Sequence, residues 1–596
     1  MPLVSPINLA DSREACSFSP IRQYCTSISL LLLSVVNAAA QGPNPQMDFR
    51  DVAALAGLNF MNVCGERARK DYILESTGCG VAIFDFDRDG YPDIFLVNGS
   101  RLSGFSGGQG PTSHLYRNLG NGKFADVTVQ AGLAKPGWGQ GACVGDYDND
   151  GWDDLFVTYY GANLLYHNNG NGTFSDTTAK AGFPLTGKRW GTGCTFLDYD
   201  LDGYLDLFVA NYVDFDVRKT PQRGTNQYCV WKDVPVFCGP RGLPPSSNIL
   251  YRNQGNGTFA DVSKAAGILV SGSAYYGLGV MVSDFDNDGY PDIYVACDST
   301  PNILYHNQRN GTFKDIAVLA GAAYNLDGVA QAGMGVSAGD YDNDGRFDIF
   351  VTNFSEDSST LYHNDGTNFF SDVTSRAGLA KNLKYLSWGT AFADIDQDGW
   401  KDIVVANGHI YPEADQVGGT ITYKERMLLY RNSGDGRFTD LSDHAGPAFQ
   451  EKWSARGLAV GDLNNAGAVD IVINNINDRA ALLRNIRPVG NCLLVQTIGT
   501  KSNRDGIGAR VSLTADGLTQ TEEVRSGGSY MSHNDFRLHF GLGTTDKVAA
   551  VRITWPSRLE ERFSNVPANN IIVLKEGAGI VRMIPLRKPA AASAAP

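Results

Sequence analysis

Aspartates at alternate positions of a tight turn are the most repeated chemistry in this chain. The pattern Asp-x-Asp-x-Asp-Gly-x-x-Asp occurs six times: at Asp85, Asp87, Asp89 and Asp93; Asp146, Asp148, Asp150 and Asp154; Asp198, Asp200, Asp202 and Asp206; Asp284, Asp286, Asp288 and Asp292; Asp340, Asp342, Asp344 and Asp348; and Asp394, Asp396, Asp398 and Asp402. A seventh, degenerate copy reads Asp462, Asn464, Ala466, Gly467, Asp470. Carboxylates so spaced converge on one cation, and the glycine lets the backbone bend sharply, as in an EF-hand loop. Here the closing acid stands at position nine, not twelve, and apolar runs such as Ile94-Phe95-Leu96-Val97 follow, so the loop joins strands. Hard oxygen donors with no His or Cys nearby in the sequence favour calcium over zinc or copper, and crowded carboxylates favour it over magnesium. Six copies therefore predict about six Ca2+ sites; the seventh, two carboxylates short, is expected to be empty or poorly occupied.

One other cluster has acid/base capacity: His409, Tyr411, Glu413 and Asp415. The spacing reads first as loop packing around His409, and only second as a catalytic group. The chain has no Gly-x-Ser-x-Gly elbow, phosphate loop or HExxH motif. His167, His306 and His363 share one repeat position and read as architecture.

The elements that must hold the loops repeat with them. A glycine lies five residues before the first ligand in all seven copies (Gly80, Gly141, Gly193, Gly279, Gly335, Gly389, Gly457), which suits an innermost strand crowded at an axis. A Leu-Tyr-x-Asn strand follows each of the six complete loops, as at 115–118 and 165–168, then an Asn-Gly or Asp-Gly turn and a Phe-x-Asp-Val-like strand; the seventh copy is Leu482 to Asn485. Four strands per unit of about 50 to 60 residues predict a propeller blade. The seventh unit lacks its last strand while an orphan copy, Phe49 to Val52, precedes the first, so the N-terminal strand is expected to complete the last blade and seal a seven-bladed ring.

These repeats resemble the FG-GAP/VCBS family of integrin-type propellers. Residues 488–580 resemble an ASPIC/UnbV domain through Ser502 to Ala509, Ser526-Gly527-Gly528-Ser529-Tyr530, Phe540-Gly541-Leu542-Gly543 and Trp555-Pro556. The whole architecture is similar to a bacterial cartilage acidic protein-like family. The resemblance implies calcium binding outside the cytoplasm and no settled catalytic activity.

The expected organisation is a signal peptide over 1–40, a calcium-binding propeller over 41–487, a small β-sandwich-like domain over 488–580 and a flexible tail over 581–596, all-β throughout. Ser27 to Val36 is an apolar run too short to anchor in a bilayer, followed by small residues before Gln41. The net charge of −14 would be largely offset by six divalent ions, and it argues against a nucleic-acid partner. Eight cysteines remain after cleavage, an even number suited to an exported chain; Cys229 with Cys238 and Cys64 with Cys79 are the expected pairs.

Loops on the face opposite the calcium loops are long at 99–113, 211–247 and 407–427, and the second carries Arg218, Lys219, Arg223, Lys232 and Arg241. Long loops on a rigid ring are where partners bind. The leading expectation is a secreted or periplasmic/cell-envelope scaffold, adhesive in character, that binds a protein or glycan without a transmembrane anchor. An enzyme, hydrolase or lyase, with its site in the funnel near 407–427 is the alternative, and a purely structural envelope component is a third.

Overall fold

The computed structural model describes residues 47–105, 110–187, 189–269, 275–487 and 490–587. The predicted signal peptide lies outside them. Each repeat folds into a four-stranded antiparallel sheet, and there are seven such sheets before residue 486. The first strand of each, namely Val81–Phe84, Gly139–Gly145, Gly191–Leu197, Gly277–Ser283, Val336–Gly339, Ser387–Ala393 and Ala455–Gly461, lies innermost and is buried almost throughout. Adjacent first strands meet in cyclic order, the seventh against the first.

The repeated glycine makes that convergence possible. A β-carbon on Gly193 would meet the Leu278 carbonyl of the next sheet at 2.5 Å, one on Gly279 the Met334 carbonyl at 2.5 Å, and one on Gly389 the Leu458 side chain at 2.6 Å. Gly457 bears on the Cys79 carbonyl in the same way, across the seam. The seam is closed as the repeat count requires: Phe49–Asp51 forms the outermost strand of the seventh sheet, with Phe49 opposite Asn485. Phe49 is fully buried beside Phe449, so the first strand brings its own core residue.

Eight further strands from Asn491 to Pro585 form two four-stranded sheets. Asn491–Ile498 runs parallel to Asn570–Lys575; every other pairing between named strands is antiparallel. The last strand, Gly579–Pro585, continues past residue 580 because it pairs along Asn570–Lys575, so the tail read from the sequence begins too early. The apolar faces of this domain, including the buried Trp555, share one cluster with Tyr147, Phe156, Phe196 and Leu207 of the second and third sheets.

Between the domain's two sheets, residues 526–535 leave it and fill the axis of the ring. This segment touches the first strand of all seven sheets. His533 exchanges backbone hydrogen bonds with Val81 and Ile83, and the Met531 carbonyl accepts from Ala142 at 3.2 Å. Thr195 donates to the Ser526 carbonyl at 2.7 Å, and Gly279 faces the Ser529 carbonyl. That same carbonyl accepts from Val336 at 2.9 Å, the Ser529 hydroxyl accepts from Thr390 N–H at 3.0 Å, and Asn534 accepts from Val460 N–H at 2.9 Å. The Ser-Gly-Gly-Ser motif explains how the chain turns there: Gly527 and Gly528 have φ of 69° and 109°, and a side chain on Gly527 would strike the Cys194 carbonyl.

Cys229 and Cys238 are bonded. Cys64 and Cys79, expected as a pair, are instead separate buried thiols, as are Cys143, Cys194, Cys297 and Cys492. Cys64 Sγ points at the carbonyls of Thr77, at 3.3 Å, and Leu74 rather than at Cys79. Burial raises the pKa of both thiols.

Candidate metal centres and the opposite face

Each Asp-rich loop joins the first and second strands of its sheet, and its four aspartates occupy distinct environments. The first accepts two backbone N–H groups of its own loop: Asp85 Oδ1 from Asp89 at 3.1 Å and Oδ2 from Gly90 at 2.8 Å, with the same pair at every later copy down to Asp462. The ninth-position aspartate is buried in every copy and, in the six complete ones, accepts the backbone N–H of the repeated Asn, as Asp93 does from Asn118 at 2.6 Å. Those two anchors leave the third and fifth positions at the loop's open side.

Burial pushes the first aspartates far above the ordinary carboxylate range. They stand at about 7 in Asp85, Asp198 and Asp394, about 8 in Asp284 and Asp340, and about 9 in Asp146, where the nearby Asp505 adds to the effect of burial. Carboxylate oxygens of Asp200, Asp292, Asp342 and Asp396 are buried without a hydrogen-bond partner. Converging, desolvated and partly unpartnered oxygens fit a divalent cation, which would be held by the four aspartates of each complete loop and would supply charge neutralisation there.

The third strand brings a nitrogen-bearing side chain to every loop, from the position between Tyr and Asn in Leu-Tyr-x-Asn or its equivalent. It is arginine in four sheets. Arg117 reaches Asp87 at 2.5 Å and Asp89 at 3.2 Å, Arg252 reaches Asp200 at 2.7 Å, and Arg431 reaches Asp396 at 2.5 Å and Asp398 at 2.8 Å. In the degenerate seventh loop Arg484 lies 3.3 Å from Asp470, and Arg537 donates to the Asp462 carbonyl at 2.6 Å, so guanidinium groups stand among its remaining acids. In the second, fourth and fifth sheets the residue is His167, His306 or His363. The sequence reading placed no nitrogen donor near the loops. The fold corrects that, because a strand about 20 residues downstream in the chain lies directly over the loop.

The loops are also tied to one another. The fourth loop residue has positive φ in all seven copies, and its side chain reaches the next loop: Asn149 donates to the Gly203 carbonyl, Asn287 to Gly345, Asn343 to Gly399, Gln397 to Gly467 and Asn465 to Gly90. Arg88 stacks on Trp152 instead, and Leu201 makes no such bond. The C-terminal domain lies over this face. Asp505 accepts from Asp146 N–H at 2.7 Å, Glu523 from Asp284 N–H at 3.3 Å, Arg558 stacks on Tyr290, and Lys401 pairs with Glu522 at 2.5 Å.

The opposite face is open and carries the long inserts. A cavity of about 430 Å³ there is lined by Tyr212, Asp298, Trp388, Phe354, Tyr411 and Arg241, among others. The Asp298 carboxylate accepts from Tyr212 Oη at 2.5 Å, and burial raises its pKa. Of the predicted acid/base cluster, only Tyr411 lines the cavity. His409 is fully buried between Trp231, at 4.6 Å, and Phe354; its Nδ1 accepts from Tyr411 N–H, and burial depresses its pKa to about 3. Glu413 is paired with Arg223 of the 211–247 insert at 2.7 Å, and Asp415 accepts from Tyr423 N–H. The 407–427 segment is thus not a free loop. Its backbone carbonyls at Gly408 and His409 hold Arg456, a fully buried guanidinium 4.0 Å over the Trp388 ring.

Comparison with known proteins gives two family matches. The FG-GAP-like repeat model matches residues 85–157, 146–209, 236–295, 284–351 and 340–405, and the ASPIC and UnbV model matches 499–581. Cartilage acidic protein 1 of Mus musculus is 24% identical over 518 residues, covering 80% of this chain and 70% of that protein; the Homo sapiens protein is 24% identical over 506 residues, covering 80% and 68%. Among solved structures, an Agrocybe aegerita lectin that recognises non-reducing terminal N-acetylglucosamine is similar at TM-score 0.37 and 16% identity, covering 68% of this chain and 87% of that one.

Proposed function

We propose, from the premise that this chain consists of FG-GAP-like repeats followed by an ASPIC and UnbV domain, the same family architecture as cartilage acidic protein 1, that it is an exported calcium-binding scaffold. Its partner, a protein or a glycan, binds the face opposite the calcium loops. A β-propeller of FG-GAP-like repeats supports an interaction role in general. The observation that carries the choice of face is that the C-terminal domain lies over the loop side, while the other side presents two inserts joined by Arg223–Glu413 around an aromatic-walled cavity. Tyr411, Tyr212 and Phe354 offer apolar ring surface, and Asp298 and Arg241 supply the few polar groups that orient a ligand. Calcium acts at a distance, by holding rigid the ring that positions the inserts. Glycan-array and envelope-fraction binding by the wild type and by a variant in two cavity-lining residues, Tyr228→Ala/Arg241→Ala, each with and without chelator, tests the reading. Binding that survives both the variant and chelation would place the partner elsewhere.

A further inference from the structure

The residue that overhangs each loop divides the metal centres into two chemical kinds. A guanidinium has no lone pair to offer a metal, so in the first, third and sixth sheets Arg117, Arg252 and Arg431 can only neutralise the acids they touch. An imidazole has one. His167 Nδ1 stands 3.3 Å from Asp148 Oδ2 and 3.2 Å from Asp154 Oδ1. His306 Nδ1 stands 3.8 Å from Asp286 Oδ2 and 3.0 Å from Asp292 Oδ1, and His363 Nδ1 3.5 Å from Asp342 Oδ2 and 3.2 Å from Asp348 Oδ1. The same nitrogen thus faces the same two loop positions, third and ninth, in three separate sheets. Neighbouring donors on one small divalent ion, each about 2.0–2.2 Å from it, lie about 3.0–3.4 Å apart, which is the spacing seen to the ninth-position oxygen.

A second observation points to a ligand rather than to mere hydrogen bonding. Asp292 is 1% exposed, and while its Oδ1 serves His306 and Asn307, its Oδ2 has no partner. Among the loop acids, the surface arginines Arg309 and Arg346 touch only the fifth-position Asp288 and Asp344, and Asp286 Oδ2 also accepts from Asn368 Nδ2 at 2.9 Å.

We infer that the second, fourth and fifth loops are mixed imidazole–carboxylate centres that take a borderline divalent cation of the zinc type, whereas the arginine-capped loops admit only a hard cation such as calcium. Nitrogen donors raise affinity for first-row transition ions and contribute little to calcium, so the sequence position that read as architecture selects the metal.

The chain itself supplies the substitution that tests this, since arginine already occupies the position in four sheets. Full-length protein in excess calcium is titrated with zinc chloride by calorimetry, and folding is verified by circular dichroism. The wild type is expected to take about three zinc ions, His306→Arg about one fewer, the His167→Arg/His306→Arg/His363→Arg variant none, and Arg117→His one more than the wild type. Zinc retained by the triple variant, or no zinc taken by the wild type, overturns the inference. Should the triple variant fail to fold, the single variants and the gain at Arg117→His decide the matter. Threefold zinc binding by a protein that binds no calcium would support this inference while removing the calcium reading.

Discussion

Tyr530 is where the C-terminal domain grips the ring, and truncating it should cost more than almost any single change in the domain. The side chain is fully buried and meets the Trp388 ring edge-on at a centroid distance of 4.7 Å. Large aromatic-to-alanine truncations in packed cores cost about 3–5 kcal/mol, of which the ring pair accounts for about 0.5–1.5 kcal/mol. Collapse around the lost ring is hindered, because the segment it belongs to is pinned to all seven first strands. Tyr530→Ala is therefore expected at the upper part of that range, Tyr530→Phe within about 1 kcal/mol of wild type, and Tyr228→Ala, at a residue 43% exposed, near the usual surface value of about 0.5 kcal/mol. Urea denaturation in saturating calcium, followed by tryptophan fluorescence, reads the differences. Loss of ring and domain in a single transition is expected as well, since the described residues from Met47 to Arg587 belong to one compact unit. If Tyr530→Ala costs no more than Tyr530→Phe, the axial segment rests in the ring without stabilising it.

Chelation should lower the melting temperature, and the effect should grow with pH. The first aspartates hold protons at about 7 to 9 in the folded, metal-free state against about 3.9 when unfolded, so their contribution to stability is present below about pH 4 and is lost as pH rises towards 9. Differential scanning fluorimetry in EDTA should show that decline and calcium should abolish it; a pH-independent EDTA melt would remove the acids from the account. Asp198→Ala should lower the melting temperature in calcium more than Asp462→Ala does, because the seventh loop, with Asn464 and Ala466, already lacks two of the four carboxylates. Deleting residues 47–58 strips the outermost strand from the seventh sheet and should produce aggregation visible by light scattering, the edge at Ala481–Asn485 being left unpaired. His409→Ala should destabilise by about 2–4 kcal/mol in the same urea assay, because the ring is fully buried among three aromatic side chains.

The loops, the repeat and its closure were legible in the sequence because each is local or periodic: ligand spacing, a glycine at fixed offset, and one strand missing at one end and spare at the other. What was not legible depends on distant segments meeting. The Ser-Gly-Gly-Ser-Tyr motif was visible at 526–530, yet nothing near it says that it threads an axis built by residues 80–460. The overhanging nitrogen-bearing side chain was within reach. Arg117, His167, Arg252, His306, His363, Arg431 and Arg484 share one register, and a side chain able to carry positive charge at that register in every repeat is a signal that inspecting the histidines alone misses. Cys64 and Cys79 misled because their separation in the chain permits a bond that the direction of Cys64 Sγ does not. At His409, read first as loop packing, what the sequence did not display is the distant partners, Trp231 and Phe354, that enclose it.

The closure of the ring by its two ends carries a kinetic cost. Phe49 finds its partner only when Asn485 has been made, and at about 5–20 residues per second that takes roughly 20 to 90 s of synthesis. Through that interval the outer edge of the first sheet's predecessor does not exist, the first strand has nowhere to pair, and the segment that fills the axis is later still. Such non-local pairing is slow to form and exposes strand edges meanwhile. The repelling aspartates of the nascent loops disfavour compaction until a cation is present. If the loops hold calcium as proposed, a chain built this way would stay open where free calcium is scarce and commit to its fold where calcium is plentiful, so the ion that rigidified the finished ring would also decide when the ring is made.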